Sequence, residues 1–267
     1  MGSNAEFQMV AGSGRFCGFG TLLQRENQKW WSLRRALTRA AVWVFLLDGL
    51  LFLALFVFPN LTDPEGNRVI EDNPLQMGSE MFVGLAAVGL AIGVIVVMQD
   101  TLIEEKQLGT AAWVLSKPIS RTAFLTAKLM ANVVGLLLLM VLPTALGAFG
   151  LFQLYEPGAI TIANMAAMTA VTSLHALFYL TLALLMGTLT NSRGLLLAVT
   201  LGSLLGGGLV PVEALVKISP WQLQRVGVLL LHGQPIDTIG ATMIGATAVW
   251  CILFLAAAVI RFKRAEF

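Results

Sequence analysis

Long apolar runs separated by short polar stretches dominate the chain. Six runs stand out: Ala40–Phe58, Met81–Met98, Leu129–Tyr155, Pro157–Ser192, Gly194–Val212 and Thr238–Ile260. A membrane-spanning helix needs about 20 mostly apolar residues. Asp48 is the sole Asp, Glu, Lys or Arg in any of the six. The runs are apolar on all sides and do not alternate, which is the pattern of buried helices and not of barrel strands. The fourth run, as one straight helix, would be about 54 Å long against a hydrocarbon core of about 30 Å. Its first part is therefore expected at the interface. The predicted spans are 40–58, 79–98, 122–152, 164–190, 194–212 and 238–261. The expected fold class is all-α: a polytopic membrane protein with six transmembrane helices in a single domain, 40–267.

Residues 1–19 are mostly small and polar and are expected to be flexible. Residues 20–39 read as one amphipathic helix lying in the headgroup region. Leu23, Trp30, Leu33 and Leu37 fall near one face, while Arg25, Lys29, Arg34, Arg35 and Arg39 occupy much of the rest. Tryptophans such as the Trp30–Trp31 pair, flanked by basic residues, suit that depth. The connection 99–128 carries Leu108, Ala111, Ala112 and Leu115 at helical spacing. Glu104 and Glu105 are placed where an early helical turn favours negative charge. Pro118 ends that helix because its ring and missing N–H prevent continuation. Ser120 is then positioned to cap the next helix. The segment 213–237 is half apolar, is punctuated by Pro220 and Pro235 and follows Pro211, so it is expected to dip into the membrane as short helices.

Composition agrees with the pattern. Hydrophobic residues make up 57% of the 267 and charged residues 12%, against about 25% charged in a soluble domain. The mean hydropathy is +0.80. A soluble enzyme, a disordered chain and a disulfide-knit module are disfavoured. The net charge of +2 is dispersed and argues against nucleic acid. Cys17 and Cys251 form neither a disulfide framework nor a metal motif. Charge decides orientation. Segments 1–39, 99–128, 191–193 and 261–267 carry 6, 4, 1 and 3 of the 17 Lys and Arg residues. By the positive-inside rule these face the cytoplasm, with both termini inside and an even number of spans.

The 99–128 connection also resembles a known family. Glu104-Glu105, Gly109-Thr110, Leu115-Ser116-Lys117-Pro118-Ile119-Ser120-Arg121 and Lys128 are similar to the cytoplasmic loop of ABC-2 type permeases, the membrane subunits of one class of ATP-binding-cassette exporter. The sequence likeness covers about 25 residues, and the layout of spans fits most of the chain. The resemblance implies a permease in the cell inner (plasma) membrane, multi-pass, that is not itself an enzyme. It implies a second permease copy or a homologous permease as partner, with cytoplasmic ABC ATPase subunits beneath and the lipid bilayer around. It makes about Asp100–Ser116 a coupling helix seated in an ATPase cleft. Asp100, Glu104, Glu105, Gly109, Thr110, Leu115, Pro118, Ser120 and Arg121 are then the ATPase-coupling residues. No Gly-x-x-x-x-Gly-Lys-Ser/Thr loop occurs in the chain, so ATP and Mg are assigned to the partner ATPase and no cofactor to this chain.

Asp48 and His175 are the two ionisable groups well inside spans. An intramembrane carboxylate is costly, so a partner or a role is the default expectation. Both residues are candidates for a transport pathway or a shared proton relay. Gly89-x-x-x-Gly93 and Gly202-x-x-x-Gly206 permit close helix packing. Two rival readings stay open: a non-catalytic scaffold or assembly subunit of a larger complex, and an intramembrane enzyme built on Asp48 or His175.

Overall fold

The computed structural model describes residues 17–62, 73–108, 119–209 and 213–264, and these are helical with no strand among them. Gly18 starts the first helix at a φ of 78°, where a side chain would be strained and would also press on Ile119. Helix α1 is Phe19–Trp30. The chain then turns at Ser32, whose backbone is extended, and α2 runs through Leu33–Asn60. The helix expected over 20–39 is therefore two. Its break redistributes the apolar face: Leu22, Glu26 and Trp30 are buried on α1, whereas Leu33 and Leu37 belong to α2 and are exposed. Trp30 is buried within the protein and not among headgroups, and only Trp31 of the pair faces outward.

Helix α3 is Pro74–Gln107, 34 residues. The side chain of Asn73 caps it by accepting from the Leu75 N–H at 3.0 Å, and Pro74 fits the first turn because its missing N–H would be unpaired there. No Gly or Pro interrupts the stretch after Gly93 until Gly109, so the helix passes the expected end at 98 without a break. The expected coupling helix, about Asp100–Ser116, thus has its first residues on α3, and the rest of it, 109–116, lies outside the described residues. Asp100, Glu104 and Glu105 lie on the last turns of α3 and not on the first turn of a separate element. Gly109, Thr110, Leu115 and Pro118 lie outside the described residues, as does all of 1–16.

Helix α4 is Arg121–Tyr155. Ser120 caps it as the sequence implies, its hydroxyl accepting from the Ala123 N–H at 3.0 Å. Pro143 cannot donate to the carbonyl four residues back, and the turn just before it, Leu137–Val141, widens to a π-turn. Helix α5 is Ile162–Leu189, in agreement with a span that starts well inside the fourth apolar run. Helix α6 is Arg193–Gly206, continued by a 3₁₀ turn, Gly207–Leu209. Helix α7 is Glu213–Lys217, α8 is Leu223–Leu231 and α9 is Thr238–Arg264.

Five helices (α2, α3, α4, α5 and α9) are long and apolar enough to cross a membrane, so the chain is a multi-pass membrane protein. Helix α6, with 14 residues, is about 21 Å long at 1.5 Å per residue. Helix α5 is the hub. It packs on α3, α8 and α9, and 72% of its apolar window is buried against 17% for α9.

Contacts fix which segments share an end of the bundle. At one end, the Ser120 N–H donates to the Cys17 carbonyl, Lys106 to the Thr188 carbonyl, Gln107 to the Asn191 carbonyl and Arg121 to the Lys263 carbonyl at 2.7 Å. The first and last described residues therefore lie together. At the opposite end, Ser79 meets His232 at 2.7 Å and Gly233 lies against Asn164. The chain from 193 to 232 thus travels the length of α3, in pieces.

Candidate functional site

Four charged side chains meet where α1, the last turns of α3 and the first turns of α4 converge. Lys128 Nζ lies 3.0 Å from Glu26 Oε1 and 2.8 Å from Glu105 Oε1. Lys29 Nζ lies 2.9 Å from Glu26 Oε2 and 3.2 Å from Glu105 Oε1. Two lysines and two glutamates alternate around this small ring, so every charge has opposite neighbours. Lys128 has 1% of its side chain exposed and Lys29 48%, so one cation is locked inside and the other closes the ring from the surface.

Burial alone would raise the pKa of the Glu26 carboxyl. The ammonium groups of Lys128 and Lys29 outweigh it and hold the group below its ordinary 4.5. Burial alone would lower the pKa of Lys29, and hydrogen bonding and attraction to Glu26 and Glu105 outweigh that and hold it above 10.5. Glu105 also resolves a local conflict. A carboxylate near a helix C-terminus meets the negative end of the dipole, and the two lysines offset it.

The same junction is packed by aromatic and amide groups. Trp30 Nε1 donates to Asn132 Oδ1 at 3.3 Å, and the Asn132 amide donates to the Lys128 carbonyl at 2.8 Å. The indole fills a slot over Gly135, where a Cβ would collide with it. Arg39 from α2 lies 4.4 Å from the indole centroid. Helix α1 is thereby fastened to α4 along its whole buried face.

The sequence-chosen residues are divided by this geometry. Glu105 is in the ring, Glu104 is an exposed neighbour, and Ser120 and Arg121 hold the start of α4. Glu26 and Lys29 were missed. The signal available was that Glu26 is the one acidic residue in the basic stretch 20–39, three residues before Lys29.

Asp48 and His175 are not brought together. Asp48, on α2, is 5% exposed and its carboxylate lies in the space left by the missing side chain of Gly147 on α4. Neither of its oxygens has a hydrogen-bond partner. His175 Nδ1 lies 3.2 Å from the Pro220 carbonyl and its ring tilts against Tyr179. Among the described residues, no three His, Cys, Asp or Glu side chains gather as a metal ion would require.

A family described as a protein of unknown function, DUF2705, matches residues 42–267. The chain belongs to the DUF2705 family. No curated protein matches it. The DUF2705 match begins inside α2, so the ring draws Glu105 and Lys128 from the matched region and Glu26 and Lys29 from α1, which precedes it.

Proposed function

We propose that this DUF2705 protein is the permease subunit of an ABC-2 type, ATP-driven transporter, acting as an exporter by alternating access and coupled to a separate cytoplasmic ATPase. The observation that carries the reading is the ring of charges. Glu105 and Lys128 flank the 109–118 segment on either side, and both are tied to each other and to α1. A force applied to that segment from below would reach α3, α4 and α1 together, which is what a coupling loop must do.

In this reading the chain has six crossings. The sixth is supplied by α6 together with the pieces that follow it, since residues 193–232 run from one end of α3 to the other. Both termini then lie on the cytoplasmic face of the inner membrane. That placement is supported by the meeting of residues 17, 120, 191 and 263 at the end richest in Lys and Arg. The partner ATPase holds ATP and Mg, and a second permease copy or a homologue completes the transporter. ATP binding shifts the permease only by contacting its inward and outward forms unequally, and the loop between Glu105 and Lys128 is where that difference would be felt. An intramembrane enzyme is disfavoured because Asp48 and His175 occupy different sites.

The test is purification of the tagged full chain in mild detergent from its host, with mass spectrometry of what accompanies it. A stoichiometric partner with a Gly-x-x-x-x-Gly-Lys-Ser/Thr loop is expected. Recovery with other membrane subunits and no such partner would replace the reading with that of a scaffold.

A further inference from the structure

Helices α3 and α8 face each other at the end of the bundle away from the termini, and a cleft of about 760 Å³ lies between them. That volume falls in the range of about 300–1,000 Å³ typical of small-ligand sites. Each wall is one stripe of a helix. Gln76, Glu80 and Gly84 recur every four residues on α3. On α8, Gln224, Val228 and His232 do the same, with Arg225 beside them. The remaining side of α8 is committed to the protein interior, where Leu223 and Val226 pack with Val171 of α5 and Met243 of α9.

The walls are held at a fixed separation. An added Cβ at Gly227 would lie 2.9 Å from the Val83 side chain, so α8 and α3 are in close contact beside the cleft. His232 is tied to α3 as well, through its 2.7 Å bond to the fully buried Ser79. The cleft is therefore a product of packing.

Its charges are not spent on each other. All ion pairs between described residues belong to the ring at the other end of the bundle. Glu80 and Arg225, one on each wall, thus do not neutralise one another. The Glu80 carboxylate accepts an amide hydrogen bond from Gln76 at 3.1 Å, which leaves its charge in place. A simple anion in the cleft would meet Glu80, and a simple cation would meet Arg225. A solute carrying both charges satisfies both walls. The amides of Gln76 and Gln224 donate and accept at once, as a peptide group requires. Val228 and Leu229 add an apolar strip, and a Cβ at Gly84 would meet nothing within 4 Å, so there is room above the α3 wall.

The geometry points to a binding site for a short zwitterionic peptide, whose ammonium meets Glu80 and whose carboxylate meets Arg225. The site goes beyond the transporter reading, and its occupancy needs no ATPase.

Isothermal titration calorimetry on the detergent-purified full chain tests it, with the dipeptide alanyl-leucine as probe. Saturable binding is expected, and severalfold weaker binding of the N-acetylated and C-amidated forms, since each loses a charge-assisted hydrogen bond. Glu80→Gln should bind the free and acetylated forms equally, and Arg225→Gln the free and amidated forms equally. Both side chains are exposed, so these variants are expected to melt with the wild type. Gly84→Leu places a side chain in the open space and should abolish binding without lowering Tm. The proposal is overturned by the absence of saturable binding, by equal binding of free and blocked peptides to the wild type, or by full binding to Gly84→Leu. Saturation by an ethanolamine phospholipid added to the micelles, and not by the peptide, would assign the cleft to a lipid headgroup and overturn it as well.

Discussion

Lys128 is held at 1% exposure between two carboxylates, and its removal takes from both the cation they share inside the protein. Breaking a buried pair from one side costs about 3–5 kcal/mol, so Lys128→Met is expected to lower Tm sharply in detergent melting. Lys29→Ala is expected to cost under about 1 kcal/mol, because half of that side chain is already in solvent. The pH dependence follows from the two shifted groups. Glu26 has its pKa depressed, so its contribution is present above 4.5 and is lost as the pH falls through the lower folded value. Lys29 has its pKa raised, so its contribution is present below 10.5 and is lost as the pH rises through the higher folded value. Protection of the α1 amides, taken relative to the intrinsic exchange rate at each pH, is therefore expected to stay high and flat between those limits and to fall outside them. At Asp48 the constraint is steric. Gly147→Ala would drive a methyl group into its carboxylate and is expected to cost about 1–3 kcal/mol. Asp48→Ala added to Gly147→Ala should recover most of the loss, and equal melting of the single and double variants would refute this account.

Element boundaries carry the next set of consequences. The sequence places Glu104 and Glu105 at a helix start, and the structure places them at a helix end. The two residues consequently face different surroundings: Glu105 turns inward to the lysines, while Glu104 is exposed. If an ATPase docks on this face, Glu104→Arg should weaken its co-purification with no change in Tm. Glu105→Gln should lower Tm and reduce transport per ATP hydrolysed. Loss of partner binding in Glu105→Gln but not in Glu104→Arg would reverse these roles. Ser120 was legible as a cap because a hydroxyl before an apolar run has few other uses. Ser120→Ala is expected to cost about 1 kcal/mol. The break at Trp31–Ser32 was not legible, since neither residue forbids a helix. It is stabilised by what lies on either side: Trp30 in the Gly135 slot, and Arg35 bonded back to Ser32 Oγ at 2.7 Å.

At the scale of the molecule, α2 and α9 are the least covered of the long helices, with Phe45, Val42, Val249 and Ile252 among the apolar side chains they expose. In the proposed setting these faces meet lipid or a second copy of the chain. Composition and periodicity alone determined that the chain is helical and multi-pass, because a membrane admits few backbone arrangements and long apolar runs satisfy one of them locally. Basic residues grouped segments that the structure does bring to one end. Neither signal could determine the charge ring, whose partners are as much as 102 residues apart, nor the separation of Asp48 from His175. These depend on which face each helix turns toward its neighbours. An apolar helix is nearly uniform around its axis, so that rotation is settled by packing: an indole over one glycine, a carboxylate over another, and a lysine drawn between two acids.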